Sequence, residues 1–118
     1  MNGLPENVDL SFLNKKILEQ ICIGPHNLIL RFEENVVINI QSVIELSKQA
    51  GKRQKYEDFG SAASPLAVLL NQSVSKAVGR SDGTLSLSFS EDYNLDIYDN
   101  SNQYESYQIW NGNDVIVV

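Results

Sequence analysis

The chain has 118 residues, 42% of them hydrophobic, enough to fill one core without disulfides or a structural metal. Its net charge of −6 opposes direct nucleic acid binding and adhesion to an anionic membrane, because both need a dominant positive field. The single cysteine, Cys22, excludes an internal disulfide and a thiolate zinc site and fits a reducing compartment.

Residues 1–14 hold Gly3, Pro5, Asn7 and Asn14 between Leu10, Phe12 and Leu13, the pattern of an irregular lead-in whose apolar side chains tuck against the body. The opening residues show no basic and then apolar stretch of a signal peptide. The longest apolar runs, Pro65 to Leu70 and Val115 to Val118, fall far short of the roughly 20 residues that span a bilayer. The expectation is one cytoplasmic domain, 1–118, without membrane contact.

Over 16–41, short runs of branched and aromatic residues (Gln20 to Ile23, Leu28 to Phe32, Val36 to Ile40) are separated by turn chemistry at Gly24-Pro25-His26-Asn27 and Glu33-Glu34-Asn35, which predicts a three-stranded meander. A linking segment, 42–73, follows. Its start, with Val43, Ile44 and Leu46, reads as strand or short helix; Gly51, Lys52, Arg53, Lys55 and Gly60 read as a polar loop. Ser64-Pro65 before Leu66 to Leu70 predicts one short helix, with serine as N-cap and proline in the first turn. Over 74–98, Val74 to Val78, Thr84 to Phe89 and Asn94 to Tyr98 predict a second meander, and 104–118 the C-terminal strands. Leu85, Leu87 and Phe89 alternate with Ser86, Ser88 and Ser90, so this strand has one buried and one wet face.

The two meanders resemble each other. Leu28-Ile29-Leu30-Arg31-Phe32, an acidic turn and Val36-Val37-Ile38 recur as Leu85-Ser86-Leu87-Ser88-Phe89, an acidic turn and Asn94-Leu95-Asp96-Ile97, at an offset of 57 before the turn and 59 after it. The predicted fold is therefore mainly β (α+β): an antiparallel sheet or partly open barrel built from a duplicated three-stranded meander, with the helix covering an open face or edge.

No constellation for catalysis or metal binding emerges. His26 is the only histidine and sits in a Pro-His-Asn turn, whereas a triad or dyad needs it paired with a nucleophile and an orienting group. Cys22 reads as a buried small apolar residue. Glu91, Asp92, Asp96 and Asp99 lack the Asp-x-Asp-x-Asp-Gly spacing of a calcium loop. Gly79-Arg80-Ser81-Asp82-Gly83 joins two predicted strands and reads as a hairpin turn, not a phosphate loop. Neither catalytic residues nor a cofactor are expected, and the protein is read as a non-enzyme.

Charge is unevenly distributed. Residues 1–80 carry nine Lys and Arg against eight Asp and Glu, and residues 81–118 carry none against seven. A one-signed field of that kind attracts and orients a basic partner. The same third holds Tyr93, Tyr98, Tyr104, Tyr107 and Trp110, residue types favoured at binding hot spots for their rigid area and polar handle. The candidate partner-binding residues are Glu91, Asp92, Asp96, Asp99 and Glu105 as charge partners, with Tyr93, Tyr98, Tyr104 and Tyr107 as contact area. Lys52, Arg53 and Lys55 stand apart from them in sequence.

Leu18-Glu19-Gln20-Ile21-Cys22-Ile23-Gly24, Ile29-Leu30-Arg31-Phe32, Leu85-x-Leu-x-Phe89 and the closing Gln103-Tyr104-Glu105-Ser106-Tyr107-Gln108-Ile109 resemble a family of small bacterial proteins of unknown function ending in a Tyr-Glu-Ser/Ala-Trp/Tyr segment. Some of these lie beside polymorphic toxin genes, and the chain looks like an immunity protein of a contact-dependent growth inhibition system. The resemblance implies a toxin inhibitor whose partner is the C-terminal domain of a cognate toxin, expected to be a nuclease with a basic substrate surface. The alternative is a small barrel-like module that binds a small ligand or forms a homo-oligomer through the near-apolar strand Val115 to Val118.

Overall fold

The alternation of apolar and polar side chains decides which residues of each strand face inward, and the computed structural model, which describes residues 3–5, 7–49, 51–101 and 105–118, follows it closely. Among the described residues ten strands form: β1 (Leu18–Ile23), β2 (Leu28–Phe32), β3 (Val36–Ile40), β4 (Ile44–Lys48), β5 (Arg53–Tyr56), β6 (Val74–Gly79), β7 (Leu85–Phe89), β8 (Tyr93–Ile97), β9 (Tyr107–Asn111) and β10 (Asp114–Val117). One α-helix, α1 (Phe59–Leu66), lies between β5 and β6.

The strands make two open five-stranded sheets, ordered β1-β2-β3-β9-β10 and β5-β4-β8-β7-β6, with every pair antiparallel. This settles the expected choice between sheet and barrel in favour of two sheets that share one core. Leu28, Leu30, Ile38, Ile40 and Ile109 of the first sheet cluster with Ile44, Leu85, Leu87, Leu95 and Ile97 of the second, all but Ile109 fully buried.

The duplication reaches well beyond the meanders. A single 3₁₀ turn at Ser11–Leu13 recurs as Ala67–Leu69. A β-bulge between Leu18 and Gln20 recurs between Val74 and Lys76. Lys15 and Asn71 both adopt φ 69°, and Asn35 and Asp92 adopt φ 63° and 66°. The segments meet around an approximate two-fold axis: Ile17 bridges Ser73, the Lys15 N–H donates to the Val74 carbonyl at 2.7 Å, and the Asn71 N–H donates to the Leu18 carbonyl at 2.8 Å. Each repeat is thus a 3₁₀ turn, a meander and a hairpin, and the hairpins are exchanged. β4–β5 leaves its own meander and pairs with β8; β9–β10 returns to pair with β3.

Three sequence expectations need correction. Leu28 pairs with Ile40 as Leu85 pairs with Ile97, so the offset is 57 on both sides of the turn and the second turn is no longer than the first. Tyr93 occupies the place of Val36, and its half-polar ring had hidden the match. The helix begins earlier than Ser64-Pro65: Asp58 is its N-cap, accepting from the Gly60 N–H at 3.1 Å and the Ser61 hydroxyl at 2.9 Å, and Phe59, Ala62 and Leu66 form its buried face. Finally, the polar loop contains β5, an edge strand whose charged side chains conceal its conformation.

Candidate functional site

The register aligns the outer faces of the two sheets row by row. On the second sheet one row runs Lys55, Glu45, Asp96, Ser86, Val78 and the next Arg53, Ser47, Asn94, Ser88, Lys76. All but Val78 are polar, and those at the centre satisfy one another. Arg53 donates from Nε to Glu45 at 2.7 Å and from Nη2 to Asp96 Oδ2 at 3.2 Å; Arg80 Nη1 lies 3.6 Å from the same oxygen; Asn94 Nδ2 donates to Asp96 Oδ1 at 2.8 Å. Asp96 is fully buried by this arrangement. The Glu45 carboxylate raises Arg53 above the ordinary arginine range, and burial, followed by Glu45, raises the Tyr98 hydroxyl. The Lys55 ammonium stands over the Tyr98 ring, 5.3 Å from its centre.

Residues 41–43, 98–101 and 105–106 lie between strands of the two sheets at one end of the molecule, here termed the crossover end. Asp99 is its knot. Its carboxylate accepts from the Ser106 hydroxyl and from the Gly3 N–H, each at 2.7 Å. Gly83 turns beside it at φ +91°, where an added Cβ would stand 2.5 Å from an Asp99 oxygen, so only glycine fits. The Gly83 carbonyl accepts from the Tyr107 hydroxyl at 2.6 Å, and burial, ahead of the Asp99 and Asp82 charges, pushes that hydroxyl well above the usual tyrosine range.

The same end gathers exposed acids from distant parts of the chain: Glu57 and Asp58 after β5, Asp82 before β7, and Glu105 before β9. The Ser61 hydroxyl and the Gly60 N–H hold Asp58 below the ordinary carboxylate range, and the Thr84 N–H does so for Asp82, so both are ionised at neutral pH. Glu57 and Asp58, with Pro25, His26, Gln41 and Phe59, line a cleft of about 600 Å³ at this end. Gln41 in turn donates its N–H to the Ser106 carbonyl.

The residues singled out from sequence do not share one surface. Asp96, Asp99 and Tyr107 are buried and engaged internally. Glu91 and Asp92 are exposed, but at the opposite end of β8 from Glu105, a strand of five residues that spans roughly 17 Å. Tyr93 is half-buried under the Lys48 ammonium, 5.0 Å from the ring centre, and Tyr98 is half-buried under Lys55. Glu105 is exposed and accepts from the Gln108 amide. Tyr104 lies outside the described residues. Arg53 and Lys55, set apart in sequence, are spatial neighbours of the acidic third and neutralise its centre. The acids overlooked in sequence, Glu57, Asp58 and Asp82, sit in turns; only the topology shows that these turns share an end.

The outer face of the first sheet has the opposite character. Its equivalent rows are Val117, Gln108, Asn39, Ile29, Cys22 and Val115, Trp110, Val37, Arg31, Gln20. Trp110, Val115 and Val117 are exposed at 38%, 41% and 39%. Cys22 is half-buried on this outer face and not in the core where sequence placed it; it does not line the His26 cleft. Among the described residues no group of three or more His, Cys, Asp or Glu side chains stands close enough to hold a metal ion, and no helix is long and apolar enough to cross a membrane.

The model of DUF6188, a family of unknown function, matches residues 11–118, which starts where the first structural repeat starts. No curated protein and no solved structure matches the chain.

Proposed function

The chain belongs to DUF6188, a family of unknown function, and we propose that it is an immunity protein that works in the cytoplasm by binding the toxin domain of a cognate bacterial effector. The observation that carries this reading is the acidic crossover end, where Glu57, Asp58, Asp82 and Glu105 are all exposed. The two cations nearest this cluster in sequence, Lys55 and Arg80, are each engaged elsewhere, Lys55 over the Tyr98 ring and Arg80 with Asp96. A nuclease toxin is basic where it holds phosphate, so an acidic end competes for that surface and is steered to it.

The test asks first whether a toxin effector is encoded beside this gene and then follows association with that effector's C-terminal domain by stopped flow across a salt series; a neighbourhood without one counts against the reading. The variant Glu57→Gln/Asp82→Asn/Glu105→Gln leaves the Asp58 cap and the Asp99 knot intact. It is expected to associate about tenfold more slowly at low salt, with a flatter salt dependence. An unchanged rate at low salt removes the crossover end as the interface. Robust turnover by the chain alone, lost on replacing His26 or Cys22, removes the inhibitor reading altogether.

A further inference from the structure

We infer that β10 is a self-pairing edge through which two copies of this chain join their first sheets into one continuous sheet. An exposed strand edge presents unpaired N–H and C=O groups, and stable proteins guard such edges with bulges, basic side chains or a covering element. β1 and β6 each carry a bulge. β5 carries Arg53 and Lys55. β10 is the repeat equivalent of β5, yet at the places of Arg53 and Lys55 it has Val115 and Val117, both exposed, in a strand whose register is regular.

The backbone fixes how a copy would pair. Val118 and Tyr107 exchange both hydrogen bonds, at 2.9 and 3.2 Å. In an antiparallel ladder such pairs alternate with non-bonded ones, so Ile116 is bonded to β9, while the N–H and C=O of Val115 and Val117 point away from it. A two-fold axis perpendicular to the sheet at Ile116 sets Val115 against Val117 of the second copy and the reverse. All four outward N–H and C=O groups of each copy are then paired, and no side chain changes face. The strand's one charge, Asp114, falls opposite Val118 of the second copy and not opposite its own equivalent. Four valines meet on the outer face, flanked by Trp110 of each copy. This self-complementarity in hydrogen bonding and in exposed apolar surface, with no like charges opposed, selects a second copy as the occupant. The contact is small, so the association is weak and reversible.

Sedimentation equilibrium with the intact chain, up to millimolar concentration, should show reversible growth from 13.2 kDa to twice that mass. Val115→Pro removes an outward N–H that β9 does not use, and with it half of the bonds between copies. Val115→Arg/Val117→Lys gives β10 the guard that β5 already carries. Each variant should weaken dimerisation by about tenfold or more, while Val78→Lys on the second sheet leaves it unchanged; a far-ultraviolet spectrum and melting curve confirm that each is folded. A chain that stays monomeric throughout overturns the inference, including one whose edge instead accepts a strand of another protein. So does a dimer that tolerates the Arg/Lys pair.

Discussion

The two exchanged hairpins have the same topology, the same register and opposite surfaces. In β4–β5, Glu45 and Ser47 face Lys55 and Arg53; in β9–β10, Gln108 and Trp110 face Val117 and Val115. One hairpin closes a face with an internal ion-pair network, and the other leaves a face apolar. The inward positions of a duplicated fold answer to a shared core and stay alike, whereas each outward face answers only to what touches it. Divergence between the repeats is therefore a map of where the environments differ.

That comparison can be broken at its core, at its network and at its seam. The largest effects belong to Phe32 and Phe89, repeat equivalents that are each 3% exposed. Replacing either by alanine should cost about 3–5 kcal/mol in urea unfolding, and the two costs should agree within about 1 kcal/mol; a large gap would mean that the cores are not equivalent. A smaller contrast is expected between Asp96 and its counterpart Asn39, which accepts one hydrogen bond, from Asn27 at 3.0 Å. Asp96→Ala removes the carboxylate that Arg80 and the Asn94 amide share with Arg53, which keeps Glu45, and should cost about 1–3 kcal/mol, against about 1 kcal/mol or less for Asn39→Ala. Equal costs would make the network ornamental.

A comparably small effect at neutral pH comes from Tyr107, which joins the two sheets through Gly83. Its folded hydroxyl titrates above the unfolded one, so its contribution is fully present below the unfolded value of about 10 and is lost as pH rises from there through the folded value. Melting temperature should therefore fall in alkali, and Tyr107→Phe should flatten that fall while lowering stability at neutral pH by about 1 kcal/mol. A curve that falls equally steeply in both proteins would mean that another group controls the alkaline limb.

Much of the fold was legible because period-two alternation is local: Leu85, Leu87 and Phe89, like Val36, Ile38 and Ile40, face the core as their spacing indicates. The duplication was visible in those same strands. Partner choice was not, since alternation says which face is buried and not which strand lies alongside; nothing in Ile44 to Lys48 distinguishes pairing with β3 from pairing with β8. The binding surface failed for a related reason. A run of acids adjacent in sequence suggested one patch, but strand alternation and the reversal at each turn sent Asp96 into the arginine network, Asp99 into the knot, and Glu91 and Glu105 to opposite ends.

The hairpin exchange also governs when the molecule can come into being. The first sheet cannot complete itself until β9 and β10 have left the ribosome, and β4 has no neighbour on its inner side until β8 arrives. An N-terminal fragment ending at the helix has two unfinished sheets and no closed core, so nascent chains wait, exposed, for β9 and β10 to be made. Pairings of such long sequence separation fold slowly, and a chain that waits is the one most open to proteases and chaperones. The exchange that binds the two repeats into one body thus ties the folding of each to the completion of both.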